Sequence, residues 1–378
     1  MPPLSVVHLT SVHNALDHRI FKKECRSLAK AGFDVTVVGP YPEDAVKEMV
    51  RIKAVKKHPS KLGRMTRTVW NVFQEARKLD ADIYHFHDPE LIPVGLLLRG
   101  LGKKVVYDVH EDFPQDMMFK SYLPDWSKRV LGRLMELTES AACKQFSAIV
   151  VVTPGILVRL QKANPKTVTI FNYPYPEELI VENAPAWDDR SFAATYVGTI
   201  TPQRGIAGMV EAIGLLSDSL GATLEIAGDT IPEEVKKFPG WSRVRFHGIL
   251  DQLSTYKLLR KARVGLICEH PIRTFLDSFP VKIFEYMGAG LPIIASDFPL
   301  WRELLSDKGC AIFIDPFDTR GIAQAIEYIL THPIEAEAMG RRGQAAVAQE
   351  FNWHTQARKL VNLYSGLATN SCAELLES

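Results

Sequence analysis

The amino-acid sequence predicts an α/β protein built from two doubly wound domains, each around a parallel β-sheet. Short runs rich in valine and isoleucine alternate with longer helical patterns. The short runs are apolar throughout, which is typical of strands that are covered on both faces. The alternation stops once, near the middle of the chain, and then restarts. The length of 378 residues fits about two to three domains of roughly 150 residues each.

In the first half of the chain, each helical pattern is long enough to return the chain for another parallel strand. The predicted strands are residues 5–10, 35–39, 83–87, 104–110, 148–153 and 168–172. The predicted helices are residues 17–31, 61–79, 90–99, 127–146 and 155–163. We therefore assign residues 1–185 to an N-terminal domain.

A proline-rich and acidic stretch, residues 173–190, interrupts the alternation and is the best linker candidate. The second domain, residues 186–352, has predicted strands at 193–198, 222–227, 244–248, 263–268, 292–296 and 310–314, and its helical patterns follow Gly205, Asp251, Pro280, Pro299 and Asp318. Residues 353–378 are expected to hold a terminal helix, with its apolar stripe over 352–367, and then a frayed tail. Two such domains in tandem predict a cleft, where the carboxyl ends of both sheets bind ligands.

Composition excludes several classes of protein. The chain has 45 Lys and Arg against 44 Asp and Glu, so its formal charge of +1 gives no reason to expect nucleic-acid binding. Its five cysteines are widely spread without C-x-x-C spacing, which argues against a disulfide framework or a structural zinc site. No signal-peptide core and no run of ~20 apolar residues is present, so we expect a cytoplasmic protein.

The segment 277–303, DSFPVKIFEYMGAGLPIIASDFPLWRE, carries the most information about function. It predicts a turn, a helix, a glycine turn, a buried strand and a second helix. Asp277 and Glu285 lie eight residues apart, so both carboxylates can face one cleft. The backbone N–H groups of Val281 and Lys282 would form a helix start that binds anions. Sugar hydroxyls and a diphosphate fit this arrangement, whereas the absence of G-x-G-x-x-G and P-loop motifs disfavours a dinucleotide oxidoreductase or a P-loop NTPase.

This segment resembles the pattern of retaining GT-B glycosyltransferases of family 4, E-x7-E followed by A-M-x-x-G-x-P-V-I-A-S. Here the corresponding run is Asp277-x7-Glu285 followed by YMGAGLPIIAS. Further matching parts are Tyr196-Val197-Gly198 with Arg204-Gly205, Ala227-Gly228-Asp229, Phe246-His247-Gly248, and His110 after the strand KVVYDV. The resemblance implies two Rossmann-like domains that face a central cleft, with a C-terminal helix that crosses back to the N-terminal domain.

The resemblance also implies roles for individual residues, with the donor in the second domain and the acceptor in the first. Glu285 would bind the donor ribose, Asp277 the sugar hydroxyls, and Arg204 the diphosphate as the leaving group departs. His110 would lie near the transferred sugar and completes the catalytic set. The expected donor-binding residues are Gly198, Thr199, Gly228, Asp229, His247, Gly248, Leu250, Phe279, Pro280, Val281 and Lys282. The candidate acceptor-side residues are His13, Asp17, Arg19 and Asp112.

The implied reaction is retaining transfer of a sugar from a nucleotide-diphosphate sugar to an acceptor hydroxyl, and the expected acceptor is a lipid-linked saccharide for surface polysaccharide. In such front-face displacement the departing phosphate takes the acceptor proton, and the family requires neither a divalent metal nor another cofactor. His85, His87 and Asp88 end another predicted strand. We interpret them as caps and turn hydrogen bonds rather than as metal ligands.

The strongest local charge bias lies in residues 51–78, which carry nine basic side chains against one acid, Glu75. Apolar residues recur at helical spacing through this segment, at Leu62, Met65, Val69, Phe73, Ala76 and Leu79. Two interpretations stay open: a helix packed on the sheet with a solvated basic face, or peripheral attachment to anionic lipid. The basic residues are Arg51, Lys53, Lys56, Lys57, Lys61, Arg64, Arg67, Arg77 and Lys78.

Two alternatives to a transferase also stay open. A nucleotide-sugar epimerase of the same two-domain shape would use the cleft without an acceptor. A non-catalytic glycosyltransferase-like subunit would bind donor or partner without turnover. The second alternative is suggested by Asp277 in place of a glutamate, Thr199 in place of a basic residue, and Pro280, which lacks a backbone N–H.

Overall fold

The computed structural model describes residues 3–116, 124–181 and 184–374. The chain forms two compact units, one from Met1–Asn172 with His354–Ser378 and the other from Tyr173–Trp353. The division falls at the start of the predicted linker rather than at residue 185. The physical reason is that the linker is itself packed: its short helices Pro176–Leu179 and Trp187–Asp189 bury Leu179 and Trp187.

The first unit contains an eight-stranded sheet in the order β3-β4-β2-β1-β5-β6-β7-β8. Every neighbouring pair is parallel except β3 with β4. Its strands are β1 Ser5–Leu9, β2 Asp34–Pro40, β3 Ala45–Lys47, β4 Val50–Val55, β5 Ile83–Phe86, β6 Lys104–Val109, β7 Ala148–Val151 and β8 Thr167–Thr169. The prediction missed β3 and β4, which form the sheet edge and mix exposed with buried positions instead of being apolar throughout.

Helices cover this sheet and bury an apolar core against it. They are the π-helical segment His18–Cys25 with Arg26–Lys30, then Lys61–Gly63, Arg64–Thr68 and Val69–Leu79, and further along Ile92–Gly100, Phe113–Asp116, Asp125–Cys143 and Pro154–Leu160. In the basic segment, Val69, Phe73 and Ala76 are buried, but Leu62 and Met65 are exposed. The expected helical stripe is therefore only half buried.

The second unit contains a six-stranded sheet, parallel throughout, in the order β11-β10-β9-β12-β13-β14. Its strands are β9 Phe192–Val197, β10 Leu224–Ala227, β11 Val244–Phe246, β12 Ala262–Ile267, β13 Ile293–Ser296 and β14 Ala311–Ile314. Its longer helices are Ile206–Leu215, Gln252–Lys261, Val281–Gly288, Pro299–Leu305, Thr319–Thr331 and Pro333–Gln349, of which only the last was not predicted. Two parallel-sheet α/β domains confirm the predicted fold class.

The C-terminal helix, Trp353–Glu374, belongs with the first unit from His354 onwards. The Tyr364 hydroxyl lies 2.6 Å from Nδ1 of His85 on β5, and the Lys104 ammonium donates to the carbonyl of Leu367. The helix continues through residues 368–374, where a frayed tail was expected, and residues 375–378 lie outside the described part. Within the described residues, no helix is long and apolar enough to span a bilayer.

Candidate active site

The first unit has a cavity of about 310 Å³ at the carboxyl ends of β1, β5 and β6. His13 and His110, both predicted site residues, line it together with an exposed aromatic ring and several charged groups. The full lining is Val12, His13, Arg64, His87, Asp88, Pro89, Glu90, Tyr107, His110, Glu111 and Phe113. A pocket with apolar walls and many hydrogen-bonding groups suits a saccharide.

Asp88 fixes the loop that brings His13 to this cavity. Its buried Oδ2 atom accepts hydrogen bonds from the Thr10 hydroxyl (2.8 Å) and from the backbone N–H of Ser11 (2.6 Å). Oδ1 lies 3.4 Å from Nε2 of His13. Asp88 thereby ties the loop after β1 to the end of β5.

His110 directly follows the end of β6, and its ring contacts a buried carboxylate. Its Nε2 atom lies 2.9 Å from Oδ2 of Asp108, and its side chain is 19% exposed. Asp108 is fully buried and accepts hydrogen bonds from Nε (3.2 Å) and Nη2 (3.1 Å) of Arg19. Burial alone would raise the pKa of Asp108, but the Arg19 charge and the hydrogen bonds from His110 and His87 hold that pKa well below the usual value.

The acceptor-side prediction for Arg19 is wrong. Arg19 points into the core, where it pairs with Asp108 and donates to the carbonyl of Ile170 (3.2 Å). A basic residue in a loop at the end of a strand can face the cleft or the sheet, and two buried acids draw Arg19 inwards.

Two further acceptor-side candidates make other contacts. Asp17 caps the helical segment His18–Cys25 by accepting from the N–H groups of Arg19 (2.8 Å) and Ile20 (3.0 Å). Oδ1 of Asp112 lies 3.4 Å from Nη2 of Arg159. These contacts give both acids a structural role beside the cavity.

Two groups of side chains in the described part of the chain could hold a metal ion. One is His8, Glu24, His85 and His87, and the other is His87, Asp108 and His110. Burial lowers the pKa of His8, His85 and His87, so these rings are neutral and have lone pairs for ligation. However, the Arg19 guanidinium lies 3.1 Å from Glu24 and also pairs with Asp108, so a cation already serves both acids.

The second unit has a cavity of about 290 Å³ at the carboxyl ends of β9 and β10. It is lined by Val197, Gly198, Thr199, Ala227, Gly228, Asp229, Ile249, Leu250 and Thr255. The structure therefore brings together five of the predicted donor-binding residues. They are Gly198, Thr199, Gly228, Asp229 and Leu250.

Backbone contacts build this second cavity. A Cβ atom on Gly228 would lie 2.3 Å from the carbonyl oxygen of Gly198, so only glycine fits there. The Gly228 N–H donates to the carbonyl of Gly248 (2.9 Å). Asp229 accepts from the N–H of Ile200 (2.8 Å). His247, also predicted, lies beneath these loops with Nε2 2.7 Å from a carboxylate oxygen of Glu225.

Two cationic side chains share a buried acid at the end of β12. The Arg204 guanidinium forms an ion pair with Glu269, and Lys282 Nζ lies 3.4 Å from the same oxygen. Lys282 also donates to the Tyr196 hydroxyl (3.3 Å). Burial lowers the pKa of Lys282 to about 8, against the opposing effect of Glu269.

Sequence reasoning missed Glu269, although it carries the signal that singled out His110. It is a polar residue two positions after the end of a buried strand, β12. Its side chain is fully buried. Glu269 therefore acts as the anchor of the cation pair, and the two cations supply the positive charge.

Helix Val281–Gly288 begins beside these cations. Pro280 is its N-cap and makes no side-chain cap hydrogen bond. Glu285, on the next turn, is partly buried and accepts a long hydrogen bond (3.5 Å) from the Tyr256 hydroxyl. Asp277 follows the short helix Arg273–Leu276 and lies half exposed, 3.4 Å from Nε of Arg273. The two acids of the motif thus have different surroundings, one sheltered and one solvated.

Comparison with protein families gives two adjacent matches. Residues 19–172 match Glycosyltransferase Family 4, and residues 207–362 match the family described as Glycosyl transferase-like. Together the two matches cover most of both units.

Curated relatives have glycosyltransferase names. A phosphatidyl-myo-inositol mannosyltransferase of Mycobacterium leprae is 23% identical over 77% of this chain and 75% of its own length. An O-antigen chain mannosyltransferase B of Escherichia coli is 26% identical over 45% of each chain.

Solved structures share the fold at low identity. The sucrose-phosphate synthase of Thermosynechococcus elongatus superposes with a TM-score of 0.75 and 16% identity over 97% of this chain and all of its own. WaaG, a glycosyltransferase involved in lipopolysaccharide biosynthesis, gives a TM-score of 0.68 and 15% identity over 95% of this chain and 99% of its own. Anabaena HepE in complex with UDP and glucose gives 0.72 and 14% over 96% of this chain and all of its own.

Proposed function

We propose that this chain, a glycosyltransferase that belongs to family 4, is a retaining enzyme that transfers a sugar from a nucleotide-diphosphate sugar to a hydroxyl of a lipid-linked saccharide. The observation that carries the proposal is the cation pair on Glu269, at the start of helix Val281–Gly288. Breaking the bond between the sugar and the diphosphate leaves negative charge on the diphosphate. Fixed positive groups aimed there stabilise the transition state.

The second unit supplies three features that fit a nucleotide-diphosphate sugar. Its glycine loops allow backbone to approach a ligand closely, and Gly228 tolerates no side chain. Arg204 and Lys282 offer positive charge, as does the helix N-terminus. Glu285 offers a carboxylate for hydroxyl groups one turn further along the same helix. Because the two cations offset the charge of the leaving group, the proposed mechanism uses no divalent metal.

The first unit supplies an acceptor pocket in this proposal. His13, His110 and Phe113 line its cavity, and an aromatic ring beside a few hydrogen-bonding groups is typical of a small-molecule site. The names of two relatives support an acceptor in lipid-linked or surface polysaccharide synthesis. One is a phosphatidyl-myo-inositol mannosyltransferase and the other an O-antigen chain mannosyltransferase.

We further propose that the segment 51–78 attaches the enzyme to anionic lipid. Leu62 is 75% exposed and Trp70 is 55% exposed, whereas a helix that only packed on the sheet would bury such side chains. Lys61 and Arg67 are exposed beside them. Apolar side chains among exposed cations are typical of a helix that lies on a membrane surface.

Sedimentation with vesicles tests the lipid attachment. The doubly substituted protein Leu62→Ser/Trp70→Ser is expected to bind anionic vesicles at least about tenfold more weakly, because each residue contributes buried apolar area. Ile334→Ser is the control, since Ile334 is an exposed apolar residue in the second unit. Equal binding of all three proteins would contradict the attachment.

The donor site is tested by thermal shift with a panel of nucleoside diphosphates and nucleotide sugars. One base series is expected to stabilise the wild type and to stabilise Glu285→Ala less. Glu303→Ala, on an exposed position of helix Pro299–Leu305, should behave as the wild type. No stabilisation by any nucleotide would contradict the assignment of the donor site.

Product analysis with the stabilising nucleotide sugar then separates the transferase from the epimerase. A transferase forms a new glycoside on an added lipid-linked saccharide and keeps the anomeric configuration of the donor. An epimerase changes the donor sugar without any acceptor. Inversion at the anomeric carbon would contradict the retaining mechanism while leaving the transferase class intact.

A further inference from the structure

A chain of buried rings leads from His110 into the core of the first unit. Nδ1 of His87 lies 3.3 Å from Nε2 of His110, and Nε2 of His87 lies 2.9 Å from Nδ1 of His8. The Tyr364 hydroxyl, on the C-terminal helix, lies 3.4 Å from Nε2 of His8 and 2.6 Å from Nδ1 of His85. This series of rings therefore connects the wall of the cavity to the C-terminal helix.

The hydrogen-bonding capacity of each group determines which ring nitrogen of His110 carries hydrogen. A neutral histidine has one N–H and one lone pair, and burial keeps His8 and His87 neutral. The Asp108 carboxylate can only accept, and it faces Nε2 of His110 (2.9 Å) and Nδ1 of His87 (3.4 Å). At 2.9 Å from this carboxylate, Nε2 of His110 carries the hydrogen that it donates to Asp108.

The negative charge of the cluster rests on Asp108. Arg19 donates to both of its oxygens. Glu24, the other buried acid of the cluster, has a pKa raised by burial and then by the nearby Asp108 charge. Of the two buried acids, Asp108 is therefore the one whose pKa lies below its usual value.

We propose that Asp108 is a positioning residue that sets the tautomer of His110, with Nε2–H turned to the core and the Nδ1 lone pair left for substrate. This inference rests on the proposed function, because His110 meets substrate only if the cavity binds the acceptor or the transferred sugar. The Nδ1 lone pair can accept a hydrogen bond from a sugar hydroxyl. The opposite tautomer would present N–H to that hydroxyl.

Long-range ¹H–¹⁵N spectra of the wild-type protein with ¹⁵N-labelled histidine test the inference directly at pH 8. His110→Gln identifies the His110 ring signals. The expected result is a His110 ring with hydrogen at Nε2 and a lone pair at Nδ1, and hydrogen at Nδ1 would overturn the inference. Elemental analysis of the same sample is a second arm. A metal ion bound at one per chain would also overturn it, because ligation would then fix the rings.

Steady-state kinetics separate positioning from a purely structural role. Asp108→Asn is expected to lower kcat about 10²-fold or more with little change in the donor KM, as happens when a histidine loses the carboxylate that orients it. Asn164→Asp is the control. Asn164 is a buried residue of the same unit that donates to the carbonyls of Cys143 and Phe146 (2.9 Å each), so its change perturbs the core without touching His110.

The outcomes separate the inference from the proposed function. Equal kcat losses in Asp108→Asn and Asn164→Asp would overturn the positioning role. If Asp108→Asn does not fold, the wild-type spectra decide. A wild type that transfers no sugar from any nucleotide donor would refute the proposed function, and the Nε2–H tautomer of His110 would still stand or fall by its spectrum.

Discussion

Each unit has a cavity at the carboxyl ends of its own parallel strands, but the two cavities are built differently. In the first, the cavity wall is set by side chains that hydrogen-bond in a buried network, from Asp108 through His87 to Tyr364. In the second, the cavity is formed largely by backbone at glycines, and two cations outside its lining, Arg204 and Lys282, share one acid, Glu269. The comparison teaches that two sheets with similar topology can build a site from side-chain networks or from backbone loops.

The largest expected effect on the transfer rate comes from removing one site side chain in each unit. His110→Ala and Glu285→Ala should each lower the transfer rate by about 10²-fold or more. Only Glu285→Ala should also weaken stabilisation by the nucleotide, because His110 belongs to the other unit. Initial rates and thermal shifts on the same preparations check this. Loss of nucleotide stabilisation in His110→Ala would contradict the assignment of nucleotide binding to the second unit alone.

A single added methyl group should disrupt the backbone-built site. In Gly228→Ala the new Cβ would lie 2.3 Å from the Gly198 carbonyl oxygen, so the loop must move. We expect nucleoside diphosphate affinity to fall at least about tenfold, which corresponds to 1.4 kcal/mol. Calorimetric titration measures it. Gly100→Ala, where a Cβ meets nothing within 4 Å, should leave the affinity unchanged.

The pH dependence of donor binding should reveal Lys282. Burial lowers its pKa to about 8, so it loses its charge as the pH rises through that value. A bound diphosphate favours the charged form, and binding therefore takes up a proton and weakens above pH 8. We expect about tenfold weaker binding at pH 9 than at pH 7. The affinity of Lys282→Arg for the donor should change little over this pH range. An equal dependence of affinity on pH in both proteins would show that Lys282 is not the titrating group.

The smallest expected effect on nucleotide affinity comes from a change at the far end of the series of histidines. Tyr364→Phe removes the hydroxyl 2.6 Å from Nδ1 of the buried His85 and should cost about 1–3 kcal/mol of stability. Denaturant unfolding measures the loss, with nucleotide affinity as the control that should stay constant. A change in nucleotide affinity would contradict the independence of the two sites.

Regular elements of the fold were predictable because buried parallel strands are apolar throughout. All twelve predicted strands are present, while β3 at the sheet edge and β4 beside it escaped detection because they expose part of their side chains. The helix Pro333–Gln349 also escaped, since its buried face includes small residues such as Ala336, Gly340 and Gly343. Such a face gives little hydrophobic contrast with its surroundings.

The candidate site was predictable where a motif has local spacing. The backbone loops at Gly198 and Gly228 and the acid Glu285 came from such runs of sequence. The surroundings of His110 and Asp108 did not, because Arg19, His87 and Tyr364 come from three other parts of the chain. Only tertiary packing brings them together, and it turned Arg19 from an expected cavity residue into a buried one.

The C-terminal helix has a consequence for synthesis. The first unit needs residues from His354 onwards to pair His85 and to cover the sheet beside Lys104. On the ribosome, therefore, the second unit emerges whole before the first can complete its core, although domains generally fold in the order of their synthesis. A message truncated before residue 354 would release a finished second domain joined to an unfinished first one.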